Sequence, residues 1–250
     1  MVIIPWRIRY LFACLRNTDD LRSAMRFVFR RDLPIAFTER VRLVLQFYSI
    51  SLHVWCAHTQ EEILTVATAV LKIPTEMEGA LIEAGCYKGG SAAKFSLVAK
   101  SANRRLIVFD SFEGLPENDD SNQQSIFGDI PNFSQGKYLG TLKEVMHNVK
   151  HYGDLSRCTF LKGWFDDTMP VFSDKIVVGY IDVDLVSSTK TCLKYLVPQL
   201  QPGGALFCQD GHLPLVLAVL DDDEFWEREV GRKKPQMEGV YKNKLVRIDA

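Results

Sequence analysis

The sequence predicts an α/β fold built on a mostly parallel sheet. Short apolar runs alternate with longer segments of helical periodicity through most of the chain. Several runs end in acids or glycine-rich turns, as Ile176–Ile181 does before Asp182 and Asp184. Near the C-terminus, residues 237–241 and 245–248 alternate as two paired strands do. These three observations indicate a Rossmann-like sheet with a reversed C-terminal edge strand.

Length and composition limit the classes of protein to consider. The 250 residues suit one large domain or a domain with an appendage, and 47% apolar and 24% charged residues are typical of globular proteins. A net charge of -1 gives no reason to expect a nucleic-acid partner. The six cysteines form no C-x-x-C pair, which argues against zinc clusters and disulfides and favours a reducing compartment.

No sequence feature indicates a membrane span or a signal peptide. No apolar run approaches the ~18–20 residues that a span requires. The N-terminus has no long hydrophobic region and no cleavage site of the A-x-A kind. We therefore expect a cytoplasmic protein.

Residues 1–50 are rich in arginine. They hold nine arginines, no lysine and four acids, mixed with aromatic and aliphatic residues, which predicts two or three short amphipathic helices. Such helices can lie on a membrane surface, but packing on the main domain or on a second subunit is favoured. We predict a helical appendage over residues 1–57, acting as a lid or dimer contact, and a domain over residues 58–250. A homo-oligomer is therefore an expected partner state.

The first strand leads into a glycine-rich turn. A helix with capping-box spacing at Thr59 and Glu62 precedes a short strand over residues 80–82. The stretch Glu83-Ala84-Gly85-Cys86-Tyr87-Lys88-Gly89-Gly90-Ser91 and a helix over 92–100 follow. This order is typical of a cofactor-binding corner. Because Tyr87 stands where a dinucleotide fingerprint requires glycine, a nicotinamide enzyme is disfavoured.

The next strands also end in residues suited to a cofactor. The strand over 106–109 ends in Asp110, where an acid can bind both ribose hydroxyls. A polar stretch over 111–138 is long enough to predict a functional loop, and we favour a lid. After a helix around 139–149 and a strand over 159–161, Trp164 and Phe165 form either a wall for a flat base or part of the core.

The fourth and fifth strands carry polar side chains at their ends. Asp182 and Asp184 either point charge into a cleft or cap the next segment. A helix over 189–200, ended by Pro202-Gly203-Gly204, leads to a strand over 205–208. Gln209, Asp210 and His212 follow that strand.

These segments together resemble the macrocin O-methyltransferase family, S-adenosylmethionine-dependent enzymes that methylate sugar hydroxyls in natural-product pathways. The resemblance lies in five motifs that occur in order over about residues 79–212: 83–91, 109–116, 163–168, 182–185 and 202–204. It implies a class I methyltransferase fold, the cofactor S-adenosyl-L-methionine and a divalent ion, usually Mg²⁺, beside the methyl donor.

The resemblance also implies roles for individual residues. The cofactor would contact Glu83, Gly85 and Gly89 at the methionine part, Asp110 at the ribose with Ser111 nearby, and Trp164, Phe165 and Asp167 at the adenine. Tyr87, Ser91 and Asp182 would also contact it. The metal would be held by Asp182, Gln209 and Asp210. The family usually has a pair of acids where Gln209 and Asp210 stand, so this chain brings one less negative charge. An amide oxygen can still bind Mg²⁺, though more weakly.

Asp184 is the predicted base, and His212 is the second candidate, with a structural role as its alternative. The function implied is methylation of a hydroxyl on a sugar or natural-product small molecule. Two alternatives remain open: a phenol or amine acceptor, and a catalytically weak cofactor-binding partner subunit.

Overall fold

A seven-stranded sheet runs through the computed structural model, which describes residues 17–120 and 123–250. The strands are β1 Ala80–Ala84, β2 Leu106–Asp110, β3 Cys158–Lys162, β4 Ile176–Ile181, β5 Leu200–Cys208, β6 Met237–Glu238 and β7 Val246–Asp249. Their order is β3-β2-β1-β4-β5-β7-β6. The first five strands are parallel, and β7 pairs antiparallel with both β5 and β6. The predicted mostly parallel sheet with a reversed strand near its C-terminal edge is confirmed.

Helices cover both faces of the sheet. Those of four or more residues are α1 Thr18–Phe29, α2 Phe37–His53, α3 Gln60–Lys72, α4 Gly90–Ser101, α5 Leu142–Tyr152, α6 Phe165–Thr168, α7 Val186–Leu196 and α8 Pro214–Asp221. Buried side chains of α1 to α5 form one core, and those of α7 and α8 form a second core on the opposite face. Because β4 is covered on both sides, all six of its residues are buried. This burial explains its continuous apolar sequence.

Capping residues set where the helices begin. The predicted capping box at Thr59 is present: its hydroxyl accepts from the Glu62 N–H, and the Glu62 carboxylate accepts from the Thr59 N–H. The helix predicted around 139–149 begins three residues later, because Thr141 caps it by accepting from the Glu144 N–H.

The helix predicted over 189–200 was wrong at its C-terminal end. Helix α7 ends at Leu196 and a short 3₁₀ turn follows, while β5 begins at Leu200. Leu200 pairs with Ile176, and the register then shifts so that Ala205 pairs with Val178. The Pro202-Gly203-Gly204 stretch is therefore a bulge inside β5, where Gly203 takes a φ of 84°.

The N-terminal helices share the core of the main sheet. Phe27 of α1 and Phe47 of α2 pack in the same core as Ile63 and Leu81. The predicted amphipathic helices are therefore present in the described part, while residues 1–16 lie outside the described residues. The division at residue 57 and the homo-oligomer stay predictions. Within the described residues, no helix is long and apolar enough to cross a membrane.

The long loop after β2 is fastened to the rest of the molecule. The described residues of 111–141 form turns and bends without helix or strand. Phe133 is buried, and its carbonyl accepts from the Asn118 amide at 2.8 Å. The Asp120 carboxylate accepts from the Val186 N–H at the start of α7 (2.6 Å). The loop is confirmed, and its action as a lid stays a prediction.

Candidate active site

A cavity of about 540 Å³ opens at the carboxyl ends of the parallel strands, where α/β sheets bind ligands. The predicted site residues on its wall are Gly85, Tyr87, Ser91, Asp110, Ser111, Trp164, Phe165, Asp182, Asp184, Asp210 and His212. Four predicted residues lie outside this wall: Glu83, Gly89, Asp167 and Gln209. The structure thus brings most of the predicted set together in one place.

The glycine turn after β1 brings backbone close to backbone. A Cβ on Gly85 would lie 1.9 Å from the Asp182 carbonyl oxygen, and Gly85 has a φ of 81°. Only glycine fits there without moving β4. Tyr87 also takes a left-handed φ, 47°. Gly89 is the N-terminal cap of α4 and has no capping side chain, so the first N–H groups of α4 stay available to a ligand.

Asp110 fixes the neighbouring turns. Its two carboxylate oxygens accept from the N–H groups of Cys86 (2.8 Å) and Phe112 (2.7 Å). Burial raises its pKa, and these two backbone bonds oppose that rise. A carboxylate has further lone pairs, so Asp110 can still accept hydroxyl donors from the cavity. Ser111 also lines the cavity and donates to the Gly114 carbonyl.

Glu83 is fully buried behind the cavity wall. Although Ser91 is close enough to oppose the shift, burial raises the pKa of Glu83 to about 8. Neither carboxyl oxygen meets hydrogen-bond geometry with a described residue. A buried polar group without a partner is costly and frequently marks a functional site.

Three acids meet where β4 and β5 end. Asp182, Asp184 and Asp210 each place a carboxylate oxygen within 4.8 Å of the others. Burial, followed by the charge of Asp210, raises the pKa of Asp182 to about 7, and the same two causes raise the pKa of Asp184. Asp210 Oδ2 also accepts from the N–H groups of Val183 (3.0 Å) and Asp184 (2.9 Å). Crowded carboxylates of this kind fit a cation.

Asp184 joins the cluster because of its backbone. Its φ of 62° is left-handed, which turns the chain immediately after β4. The turn is held by Asp210, which lies 26 residues later in the chain. Lys244, in the turn between β6 and β7, lines the same cavity, and its charge opposes the raised pKa of all three acids.

Gln209 points away from the three acids. Its amide nitrogen donates to the Glu62 carboxylate on α3 (3.4 Å), and its amide oxygen is buried without a described partner. His212 lies on the wall, and burial, followed by the charge of Lys244, lowers its pKa to about 4. His212 is therefore neutral at pH 7 and a weak base.

The aromatic wall lies beside β3. Trp164 and Phe165 both line the cavity, and Trp164 is 39% exposed, so its ring is available for stacking. Asp166 lines the cavity in place of Asp167, and it accepts from the Thr191 hydroxyl at 2.6 Å. The start of α6 at Phe165 decides which of the two acids faces inward.

Several wall residues were missed by sequence reasoning. Trp55 contacts Tyr87, and Tyr87 contacts Tyr138 of the long loop, both edge to face, so the three rings form a row along the cavity. His58 and Lys244 complete this part of the wall. None of them belongs to a local motif, apart from the position of His58 directly before the capping box.

The strand order, the glycine turn after β1 and the acid ending β2 define a class I methyltransferase fold. The O-methyltransferase NovP shares it with a TM-score of 0.63 and 20% identity, over 92% of this chain and 97% of NovP. CalS11, a calicheamicin methyltransferase, shares it with a TM-score of 0.60 and 17% identity, over 93% of this chain and 91% of CalS11.

The chain belongs to the macrocin-O-methyltransferase (TylF) family, whose model matches residues 59–224. It is 34% identical over 138 residues to the 8-demethyl-8-(2,3-dimethoxy-alpha-L-rhamnosyl)-tetracenomycin-C 4'-O-methyltransferase of Streptomyces olivaceus, covering 53% of this chain and 52% of that protein. It is 32% identical over 143 residues to the mycinamicin III 3''-O-methyltransferase of Micromonospora griseorubida, covering 54% and 56%. The chain thus spans about half the length of these curated relatives.

Proposed function

We propose that this protein is an S-adenosylmethionine-dependent O-methyltransferase that acts, with a divalent ion, on a hydroxyl of a sugar or natural-product small molecule. The observation that carries the proposal is the meeting of three carboxylates with the glycine turn and Asp110 around one cavity. Such a cavity can hold a nucleoside cofactor and a metal-bound hydroxyl side by side. The family and the names of its relatives, which methylate sugar hydroxyls, support the same acceptor class.

The residues present fit the cofactor. The Gly85 turn provides a close backbone approach that any Cβ would block, and Asp110 retains lone pairs for the ribose hydroxyls. Trp164 and Phe165 offer rings for the adenine. When bound, S-adenosylmethionine supplies a methyl group made electrophilic by its sulfonium. The chain's part is to hold that end beside the acid cluster in line with the acceptor.

The residues present also fit a divalent ion such as Mg²⁺, which prefers carboxylate oxygens and retains water. Asp182 and Asp210 would hold it, and the carboxylate of Asp184, rather than the amide of Gln209, lies beside them. When bound, the ion supplies a lowered pKa for a coordinated hydroxyl.

Asp184 is the residue we propose to accept the proton of the acceptor hydroxyl. Its carboxylate lies beside Asp182 and Asp210, and therefore next to a hydroxyl coordinated by an ion that these two residues hold. His212, whose pKa is about 4, is less suited to that role at neutral pH. Asp184 is also close enough to Asp182 and Asp210 to act as a metal ligand instead, and the metal measurement below separates these two roles.

Cofactor binding tests the first half of the proposal. We expect the protein to bind S-adenosylhomocysteine in calorimetry, and Asp110→Ala to weaken binding by about 1–3 kcal/mol through loss of a charged acceptor. Asp174→Ala is the matched control, because Asp174 pairs with Arg105 on the surface, away from the cavity. Absence of binding by the wild type, or equal binding of NAD, would refute the proposal.

Metal binding tests the second half. We expect Asp182→Asn to weaken Mn²⁺ binding, measured by electron paramagnetic resonance, at least about tenfold, because one negative ligand is lost. Lys244→Met should strengthen it, since a cation near the cluster is removed. Asp184→Asn should weaken Mn²⁺ binding if Asp184 is a ligand. It should lower only the rate of methyl transfer if Asp184 is solely a base.

Asp166→Asn is the control for this series, because Asp166 lines the same cavity but bonds to Thr191. Unchanged Mn²⁺ affinity in Asp182→Asn, together with full methyl transfer in excess chelator, would show that the metal half of the proposal is wrong.

A further inference from the structure

A buried lysine stands behind the cavity wall at the start of α4. Lys94 is 0% exposed and lies one helical turn after Gly90. Its ammonium donates to the Ser51 hydroxyl of α2 (2.7 Å) and lies 2.8 Å from His58 Nε2. Burial of a charged lysine lowers the stability of a fold, so we expect Lys94 to have a functional role.

Lys94 determines which nitrogen of the His58 ring carries the hydrogen. An ammonium group donates hydrogen bonds and cannot accept them, so Nε2 of His58 is the acceptor and the ring hydrogen is on Nδ1. Burial, followed by the charge of Lys94, keeps the pKa of His58 well below its ordinary value, so the ring is neutral. Nδ1 has no hydrogen-bond partner among the described residues, and the ring lines the cavity. His58 therefore offers a single N–H donor to a ligand.

The place of this donor in the cavity indicates which part of a ligand it meets. Along the sheet, β3 carries the aromatic wall, β2 carries Asp110, β1 leads to the glycine turn, and β4 leads to the acid cluster. A ligand whose base lies at β3 and whose ribose lies at β2 extends next to the turn after β1. The segment containing His58 covers that turn: a Cβ on Gly90 would lie 2.3 Å from the Cys56 sulfur.

This corner favours a carboxylate. The uncapped N–H groups of α4 carry partial positive charge, the Lys94 ammonium lies directly behind the wall, and the charge of Lys244 also reaches His58. We propose that His58, oriented by Lys94, binds the carboxylate at the methionine end of the cofactor. The Lys94–His58 pair thereby recognises the amino-acid part of the ligand. This inference rests on the proposed function.

Two ligands that differ only in that part provide the test. S-Adenosylhomocysteine carries the amino-acid carboxylate, whereas 5′-methylthioadenosine has the same nucleoside and thioether without it. We expect His58→Leu to weaken S-adenosylhomocysteine binding about tenfold or more in calorimetry and to leave methylthioadenosine binding within about twofold. His58→Asn should recover most of the lost affinity, because its amide places a donor close to the position of Nδ1. His147→Asn, on the exposed face of α5, is the matched control.

Other outcomes separate this inference from the proposed function. Equal weakening of both ligands, or of neither, overturns the carboxylate assignment while the cofactor stands. Unchanged S-adenosylhomocysteine affinity with a raised KM for an acceptor also overturns it and moves His58 to the acceptor side. A wild type that binds neither ligand overturns both.

A spectroscopic measurement keeps the inference testable if His58→Leu does not fold. In the wild type, ¹⁵N NMR at pH 7 should show His58 protonated on Nδ1 and not on Nε2, and S-adenosylhomocysteine should shift that Nδ1 signal. A His58 ring protonated on Nε2, or on both nitrogens, would overturn the proposed arrangement.

Discussion

Glu83 is a single residue whose burial behind the cavity lowers the stability of the folded protein. The sequence places it at the end of a buried strand, and the structure leaves its carboxyl fully buried without a described hydrogen-bond partner. Water is excluded, so the neutral form is favoured and the pKa rises to about 8. At neutral pH the folded protein therefore holds a proton on Glu83 that the unfolded chain releases.

This proton makes stability depend on pH. Because the folded pKa of Glu83 lies above the ordinary value of 4.5, its contribution to the free energy of unfolding is present below about pH 4.5 and is lost as pH rises to about 8. The loss is on the order of 4 kcal/mol for such a shift. Glu83→Gln cannot titrate, so we expect its urea-unfolding free energy to fall less between pH 5 and pH 8 than that of the wild type. Glu78→Gln, at an exposed ion pair with Lys175, should behave as the wild type does. Identical pH dependence in the wild type and Glu83→Gln would contradict this account.

Helix α1 helps to stabilise the start of a second helix, α3. The Asp20 carboxylate, in the first turn of α1, accepts from the Glu61 N–H in the first turn of α3 at 3.0 Å. The first N–H groups of a helix have no partner within the helix, so Asp20 satisfies one of them from 41 residues away. Thr59 satisfies another through the capping box. The start of α3 thus depends on a local residue and on a distant one.

Removing the distant residue should be measurable. We expect Asp20→Ala to lower the free energy of unfolding by about 1–3 kcal/mol, because it leaves a part-buried N–H unpaired. Asp19→Ala should change it by less than about 0.5 kcal/mol, since Asp19 is exposed and pairs only with Arg22 among the described residues. Chemical denaturation of both variants gives the comparison. Equal losses would show that Asp20 acts only through the general charge of α1.

The molecule as a whole shares one core between its N-terminal helices and its sheet. Phe27, Phe47 and Ile50 pack with Val66 of α3 and Val178 of β4. A common core makes the parts depend on one another during unfolding, as in other cooperative domains. Residues 17–57 therefore contribute packing to the sheet, in addition to supplying Trp55, Cys56 and Ala57 to the cavity wall.

A truncation tests the predicted boundary at residue 57. A chain of residues 58–250 would expose the inner faces of α3 and α4, and each large side chain left in water costs about 1.5–3 kcal/mol. We expect this fragment to lack a cooperative thermal transition, and the full chain to show a single one by circular dichroism and tryptophan fluorescence alike. A fragment that melts at the midpoint of the full chain would instead support an independent domain over residues 58–250.

The sequence by itself determined the order of the strands and the residues that follow their carboxyl ends. Each strand is a local apolar pattern, so Ile176–Ile181 could be bounded from its own residues and matches the observed strand. Position at a strand end then placed Asp110, Asp182 and Asp210 on one edge of the sheet, because parallel strands end on the same side. The glycine-rich turn after β1 could also be predicted from the sequence. The structure gives the reason for one of its glycines, since a Cβ on Gly85 would clash with the Asp182 carbonyl. The helix predicted to reach residue 200 failed because strand pairing of Leu200 with Ile176 outweighed local helical pattern.

Only the tertiary structure decided which side chains face one another. Gln209 and Asp210 are neighbours, but successive residues at a strand end point to opposite sides, so Asp210 meets Asp182 while Gln209 meets Glu62 of α3. Asp184 turns inward because its backbone is left-handed, a conformation held by Asp210 from the next strand. His58 and Lys244 reach the cavity from segments that carry no cofactor-binding motif. Local pattern sets where a strand begins and ends, whereas the direction of a side chain beyond it depends on contacts that form only when distant parts of the chain are packed together.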